Sequence, residues 1–449
     1  MIHTSLLIKD ATIVNEGNIF VADVLIEKET IVQIGNILAN GNYEIINAKG
    51  LYLLPGIIDS HVHFREPGLT HKGNIYSETR AAIAGGITSF IDMPNTIPNV
   101  LTQEILLNKF KMAAQNSFAN YSFYMGINET NWEETMKTDP SKICALTDDG
   151  LYFSGKDQML VSNEVYMEKV FKECPMRISI HSEDEKIINN ELWLARAKYG
   201  DNIPVEMHPK IRTEEACMSS TKKALAIAQK YNTRLHILHL STSKEADLFN
   251  NSLPLNKKRI TAEVCVHHLW FCDEDYKKLG SKIKWNPAIK TAADREGLLQ
   301  AVLEDRIDII STDHAPHLLE EKLLPYEKAP GGAPMVQHSL IAMLEMVHNK
   351  KISLEKIVQK MSHNVAELFG IEKRGFIKEG YKADLVLVDL NALWKVDQWN
   401  ILYKCGWSPF EGTLFHSKVV KTIVNGTVIY DKGILSEIKV GQPLRFKAG

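Results

Sequence analysis

The chain is 449 residues long, 45% hydrophobic and 24% charged, with a formal net charge of -3. That length suffices to bury a large core, and the composition excludes a disordered chain. The near-neutral balance, without a block of five like charges, argues against a nucleic-acid arm or a polyphosphate-binding surface, so small molecules or other subunits are the expected partners. Residues 1–18 carry no basic region ahead of a long apolar run, and no apolar stretch is long enough for a bilayer, so neither a secretory leader nor a membrane segment is expected. The six cysteines (Cys144, Cys174, Cys217, Cys265, Cys272 and Cys405) form no close pair, as suits reduced thiols of a cytoplasmic protein.

From the N-terminus, residues 6–52 read as short strands, among them 11–14, 21–26 and 31–37, punctuated by turn signals such as Asn40-Gly41. Eight apolar, β-branched runs follow, at 56–64, 87–93, 121–127, 143–147, 177–181, 234–240, 259–266 and 307–312. Helical stretches separate them: 102–116 carries Leu106, Leu107, Phe110 and Ala113 at helical spacing, and 214–230 is rich in Ala and Lys. Eight strand–helix units predict a TIM (β/α)8 barrel of the α/β class. A doubly wound open sheet is the alternative, but no glycine-rich fingerprint follows the first run. Helices over 332–370 would close the barrel. The chain then returns to strands at 385–389 and 419–424, with a turn at Asn425-Gly426, so the two ends are expected to share one small composite β-sandwich. The resulting division is 1–53 and 374–449 for the sandwich and 54–373 for the barrel.

The strongest local signal ends the first run, in Asp59-Ser60-His61-Val62-His63-Phe64-Arg65. Alternate residues of a strand point to one face, so His61 and His63 can chelate one ion at the barrel mouth, with Asp59 beneath them. Alone, an HxH is also compatible with two ordinary polar strand ends. But His181, His239 and Asp313 end the fifth, sixth and eighth runs, and Asp149 follows the fourth in Thr147-Asp148-Asp149-Gly150. Barrel active sites are built at the C-terminal ends of strands, and four histidines with two carboxylates on that rim point to a metal cage.

The segments DSHVHFREPG, MPNT, TDDG, HSED, HLSTSKE, NPAIK and STDHAPH resemble the class I bacterial dihydroorotases of the amidohydrolase superfamily, over nearly the whole barrel. The resemblance implies a zinc enzyme of pyrimidine biosynthesis with two ions per subunit, His61, His63 and Asp313 on one and His181 and His239 on the other. It also implies a bridging group after the fourth strand, which in many relatives is a carboxylated lysine. Here Asp149 matches the position used in an aspartate-bridged subgroup and is preferred; Asp148 stays open, and Lys142 and Lys156 lie nearby.

The implied substrate pair is N-carbamoyl-aspartate and dihydroorotate, with Asp313 shuttling a proton between the nucleophile and the ring nitrogen. Arg65, Asn95 and His317 are implied to hold the substrate carboxylate, and Asn286 to read the ring edge. Two departures from the family stand out. Gly331 and Gly332, in the loop 328–334, occupy a place where a bulkier apolar residue is expected, and Lys290 replaces a common Arg. A hydantoinase, dihydropyrimidinase or allantoinase is the nearest rival because all share the metal cage. A catalytically dead scaffold for aspartate carbamoyltransferase is the rival of another class, weakened by the presence of every expected ligand type. Many family members are homodimers, and a complex with the transferase is compatible with catalysis; no sequence feature decides either.

Overall fold

The computed structural model describes residues 5–39, 41–148 and 163–447, so Asn40, Asp149 and Lys156 of the sequence expectations lie outside the described residues. All eight predicted runs contain strands: Ile57–Val62, Ile87–Asp92, Asn120–Phe123 with Met125–Gly126, Ala145–Thr147, Arg177–Ile180, Leu235–Ile237, Ile260–Cys265 and Ile309–Ser311. Parallel pairing runs from the first to the third and from Met125–Gly126 to the eighth. The ring closes where Val62 bridges His314 and the His63 N–H donates to the His314 carbonyl at 2.8 Å. This is the α/β barrel that the alternation of runs predicts.

The outer helices begin where a side chain satisfies the free backbone N–H groups of the first turn. Thr102 accepts from Ile105 N to start Gln103–Asn116, and Thr213 accepts from Ala216 N to start Glu214–Tyr231. In the first of these, Leu106, Lys109 and Ala113 form the buried stripe, at the three- and four-residue spacing of one helix face. A lysine in that stripe needs a partner. Lys109 Nζ lies 2.5 Å from Asp92 Oδ2 and 3.0 Å from the Met93 carbonyl, with both side chains fully buried. Asp92 Oδ1 in turn accepts from Phe64 N at 2.7 Å, so this pair fixes the backbone between His63 and Arg65. Removing one partner of a buried ion pair strands the other, and Lys109→Met is expected to cost about 3–5 kcal/mol. The check is the urea midpoint at constant m value; an unmoved midpoint would show that the pair contributes no net stability.

Among the described residues, the two ends of the sequence meet in a single nine-stranded sheet. Its seam is Tyr52–Pro55, which pairs in parallel with Ser5–Asn15 and antiparallel with Leu385–Asp389, setting Leu53 opposite Leu387. Ile8, Ile13, Val24, Leu53, Leu385 and Ile423 bury a core shared by both ends. Asn425 and Gly426 take φ of 48° and 75°, the left-handed pair that a tight hairpin requires. The C-terminal part does not stay wholly in this sheet. Tyr403, Trp407 and Phe410 are buried in the main core with the barrel residues, because large aromatic side chains gain most from deep burial. Further on, Pro443 bridges Tyr121 at the third barrel strand. Among the described residues, no helix is long and apolar enough to cross a membrane.

Candidate metal centre and substrate cavity

The first barrel strand is irregular, with register shifts after Ile57 and between Asp59 and Val62. Such bulges re-aim side chains at barrel rims. Asp59 is used to lock the strand: Oδ2 accepts from Thr312 Oγ1 at 2.6 Å and Oδ1 from His61 N at 3.3 Å. Burial pushes its carboxyl up to about 7 against the pull of that Thr312 bond. It therefore ties the first strand to the eighth, and the cage is made by others.

His61 Nδ1 lies 2.6 Å from Glu263 Oε1 and donates its proton there, which leaves Nε2 as the nitrogen that would face a metal. Nε2 is buried, makes no hydrogen bond among the described residues, and sits 3.5 Å from Asp313 Oδ1. His63 is oriented in the same way, Nδ1 2.8 Å from Asn95 Oδ1 and Nε2 3.0 Å from Asp313 Oδ1. On the other side, the His181 and His239 ring centroids are 4.9 Å apart, and His239 lies 5.2 Å from His61. His239 Nδ1 is also buried without a hydrogen-bond partner among the described residues. One donor atom each from His61, His63 and Asp313 falls within 4.8 Å of the others, and the same holds for His61, His181 and His239.

Burial alone would raise the Asp313 carboxyl, but the His63 hydrogen bond and the His61 charge hold it well below the usual carboxylate range. Burial, reinforced by His181, drives His239 well below the usual imidazole value. A buried nitrogen without a partner is costly, and two such atoms beside an ionised carboxylate fit a cation. The nitrogen and oxygen donors, in two groups of three, suit a divalent metal.

Arg65, His239 and Asp313 all occupy left-handed backbone, with φ of 67°, 31° and 46°. Each costs on the order of 1–3 kcal/mol for a residue with a side chain, so the surroundings must impose it. Neighbours hold each one: Trp285 Nε1 donates to the Asp313 carbonyl at 3.2 Å, Arg65 Nε to the Pro316 carbonyl at 3.1 Å, and His239 N to Glu263 Oε1 at 3.3 Å.

A cavity of about 460 Å³ opens over the cage, and Arg65, Asn95, Asn286 and His317 all line it beside His63, His181, His239 and Asp313. Arg65 Nη2 donates to His317 Nε2 at 3.0 Å, and burial together with Arg65 keeps His317 well below its usual value and neutral. Trp407, from the C-terminal excursion, donates through Nε1 to the His317 carbonyl at 2.8 Å.

The glycines of the loop at 328–334 have a steric cause. A Cβ at Gly331 would meet Asn286 Nδ2 at 3.0 Å, and one at Gly332, where φ is 108°, would meet Ala315 Cβ at 2.6 Å. Lys290 does not line the cavity; its Nζ donates to Ser241 Oγ at 3.1 Å and the Ala288 carbonyl at 3.2 Å. Lys142 is paired with Asp139 at 3.0 Å with its side chain 55% exposed, which removes it as a bridge. Asp148 Oδ1 accepts from His181, with Nδ1 at 2.9 Å and backbone N at 3.1 Å, so it orients that ring.

Glu263 is the residue the sequence reading missed. Fully buried, it holds His61, lies 3.3 Å from His236 Nε2 and accepts from His239 N at 3.3 Å. The available signal was a carboxylate inside the apolar strand Ile260–Cys265, since glutamate is rarely buried unless paired. Lys284, on the cavity wall, also carried no assignment. Burial and Arg212 lower it to about 7, and Nζ donates to the Tyr326 and Ala329 carbonyls at 2.6 Å each.

Comparison with known proteins agrees with this geometry. Residues 52–429 match the model of the amidohydrolase family. A dihydroorotase of Methanosarcina acetivorans is 32% identical over 416 residues, covering 90% of this chain and 88% of its own. One from Ruminiclostridium cellulolyticum is 32% identical over 440 residues, covering 96% and 99%. Among solved structures, an L-hydantoinase (dihydropyrimidinase) from Arthrobacter aurescens superposes with a TM-score of 0.90 at 26% identity, covering 98% of this chain and 99% of that one. With its barrel, its rim of histidines and carboxylate, and these relatives, the chain belongs to the amidohydrolase family, as a cyclic amidohydrolase.

Proposed function

We propose that the protein is a dihydroorotase, closing N-carbamoyl-aspartate to dihydroorotate and reopening it in pyrimidine biosynthesis. The observation that carries this reading is the cavity wall of Arg65, Asn95 and His317 beside the donor cluster. A guanidinium with neighbouring donors suits bidentate binding of a carboxylate. Dihydroorotate has that carboxylate; hydantoin and dihydrouracil do not. The dihydroorotases at about 30% identity and more support the same choice.

His61, His63 and Asp313 would hold one zinc ion and His181 and His239 a second, with Asp149, at the position of the aspartate-bridged subgroup, as the preferred bridge and Asp148, whose Oδ2 is buried without a hydrogen-bond partner among the described residues, as the alternative. Bound there, the two ions supply Lewis-acid polarisation of the amide carbonyl and a lowered pKa for an attacking water. Asp313 accepts the proton of that water and delivers it to the departing ring nitrogen; in the cyclising direction it takes the carbamoyl nitrogen's proton. Asn95 has its oxygen on His63 and so offers its amide NH2 to the substrate carboxylate. Asn286 reads the ring edge.

The test is to give purified protein dihydroorotate, hydantoin, dihydrouracil and allantoin in turn, with and without a chelator. Chelator-sensitive turnover of dihydroorotate is expected. Turnover of any of the other three with none of dihydroorotate would overturn the assignment. Arg65→Ala is expected to raise KM for dihydroorotate at least roughly tenfold with kcat changed much less, since it removes binding common to ground and transition states. An unchanged KM would take Arg65 out of substrate recognition. The same reading carries a cytoplasmic location. Association, as a homodimer or with aspartate carbamoyltransferase, is checked by sedimentation of the protein alone and with the transferase.

A further inference from the structure

At the N-terminal end of the barrel, opposite the metal cage, three arginines stand side by side. Arg177 opens the fifth strand, and Arg234 and Arg259 immediately precede the sixth and seventh. Ile178 pairs with Leu235 and Leu235 with Ile260, which makes the residue before each a lateral neighbour of the next. The backbone confirms it: Ile178 N donates to the Arg234 carbonyl at 2.8 Å and Leu235 N to the Arg259 carbonyl at 2.9 Å. Adjacent strands lie about 4.8 Å apart, and like charges placed directly opposite oppose folding.

All three arginines line one cavity of about 360 Å³, where Glu367 is the one acidic residue among the described lining residues. None of the three makes an ion pair among the described residues. Their donors go to neutral acceptors: Arg177 to Thr261 Oγ1 at 3.2 Å, Arg234 to the Pro175 carbonyl, and Arg259 to the Asn232 carbonyl. The carboxylate whose charge reaches Arg177, Asp308, is already held by Lys258 Nζ at 2.7 Å and by Ala262 N at 2.9 Å. Burial and the adjacent Arg234 pull the Arg177 guanidinium down to about 10. A chain with a net charge of -3 thus concentrates uncompensated cations in one recess, which the overall balance hides because the three are far apart in sequence.

We infer that this recess is a binding site for a phosphate-bearing small molecule, held by the guanidinium row of Arg177, Arg234 and Arg259. The planar fork of arginine matches phosphate oxygens bidentately, and a concave recess favours a small ligand over a macromolecular surface. Phe369 and Phe446 line the same cavity and give the ligand's non-phosphate part an apolar wall. The inference is independent of the reaction proposed for the opposite end of the barrel.

Inorganic pyrophosphate is the probe, titrated calorimetrically into the full-length protein at low salt, where charge pairing is least screened. Saturable binding with a dissociation constant below about 1 mM is expected, weakened at least tenfold in Arg234→Gln and in Arg259→Gln and unchanged in Arg65→Ala. Without ligand, both glutamine variants should melt no lower than the parent, because each relieves like-charge repulsion; this separates lost binding from lost folding. Competition by a nucleoside triphosphate would identify nucleotide as the source of the phosphate, and competition by orthophosphate alone would identify free phosphate. No saturable binding, binding that survives in both glutamine variants, or binding lost in Arg65→Ala would overturn the site.

Discussion

Asp313→Asn should lower kcat on dihydroorotate by about 10²–10⁴-fold, the usual share of a positioned acid–base group. The side chain lies 3.0 Å from His63 Nε2 and 3.5 Å from His61 Nε2, and its carboxyl is held ionised by them. An asparagine keeps the size and one ligating oxygen but cannot take up a proton at ordinary pH. Metal content should therefore persist while turnover falls in both directions, with KM moving little. Loss of metal in parallel with kcat would reduce Asp313 to a ligand, and normal turnover would end its part as proton carrier.

Glu263→Ala should weaken metal binding by about 10–100-fold, as removal of outer partners of ligating histidines commonly does. The carboxylate fixes which nitrogen of His61 is protonated, and burial would otherwise lower that imidazole, which Glu263 raises instead. It also holds the backbone of His239, so both halves of the cage depend on it. Glu263→Gln restores an acceptor oxygen and should recover part of the affinity. Chelator competition, followed by metal analysis, measures both variants. An alanine variant with parental affinity would show that the histidines are oriented by something else.

The barrel was legible because its signals are local. Each strand is a short apolar run with turn residues at its ends, and the His61–His63 alternation follows from the strand period of two. The rim residues His181, His239 and Asp313 were legible because each ends its own run. Glu263 was not, because its partner His61 lies in the first strand and it in the seventh, and a carboxylate inside an apolar run signals that a partner exists without saying which. Trp407 was hidden for a related reason: residues after 390 read as part of the terminal sheet, whereas that side chain reaches the loop bearing His317. The hold of Asp148 on His181 is equally invisible in a Thr-Asp-Asp-Gly string, because it joins the fourth run to the fifth. The three arginines at the barrel floor escaped a reading of charge because they align only when the strands are in register.

The seam that sets Leu53 against Leu387 has a cost in time. A ribosome adding roughly 5–20 residues per second needs tens of seconds to deliver the second half of that pairing after the first has emerged. Throughout that interval Leu6, Ile8 and Val24 belong to half a core, and the outer edge of Tyr52–Pro55 offers unpaired backbone to any other extended chain. Production of this protein is thus most exposed to misassembly before residues 385–389 are made, and slowing translation should lower the soluble yield even though the folded molecule is unchanged.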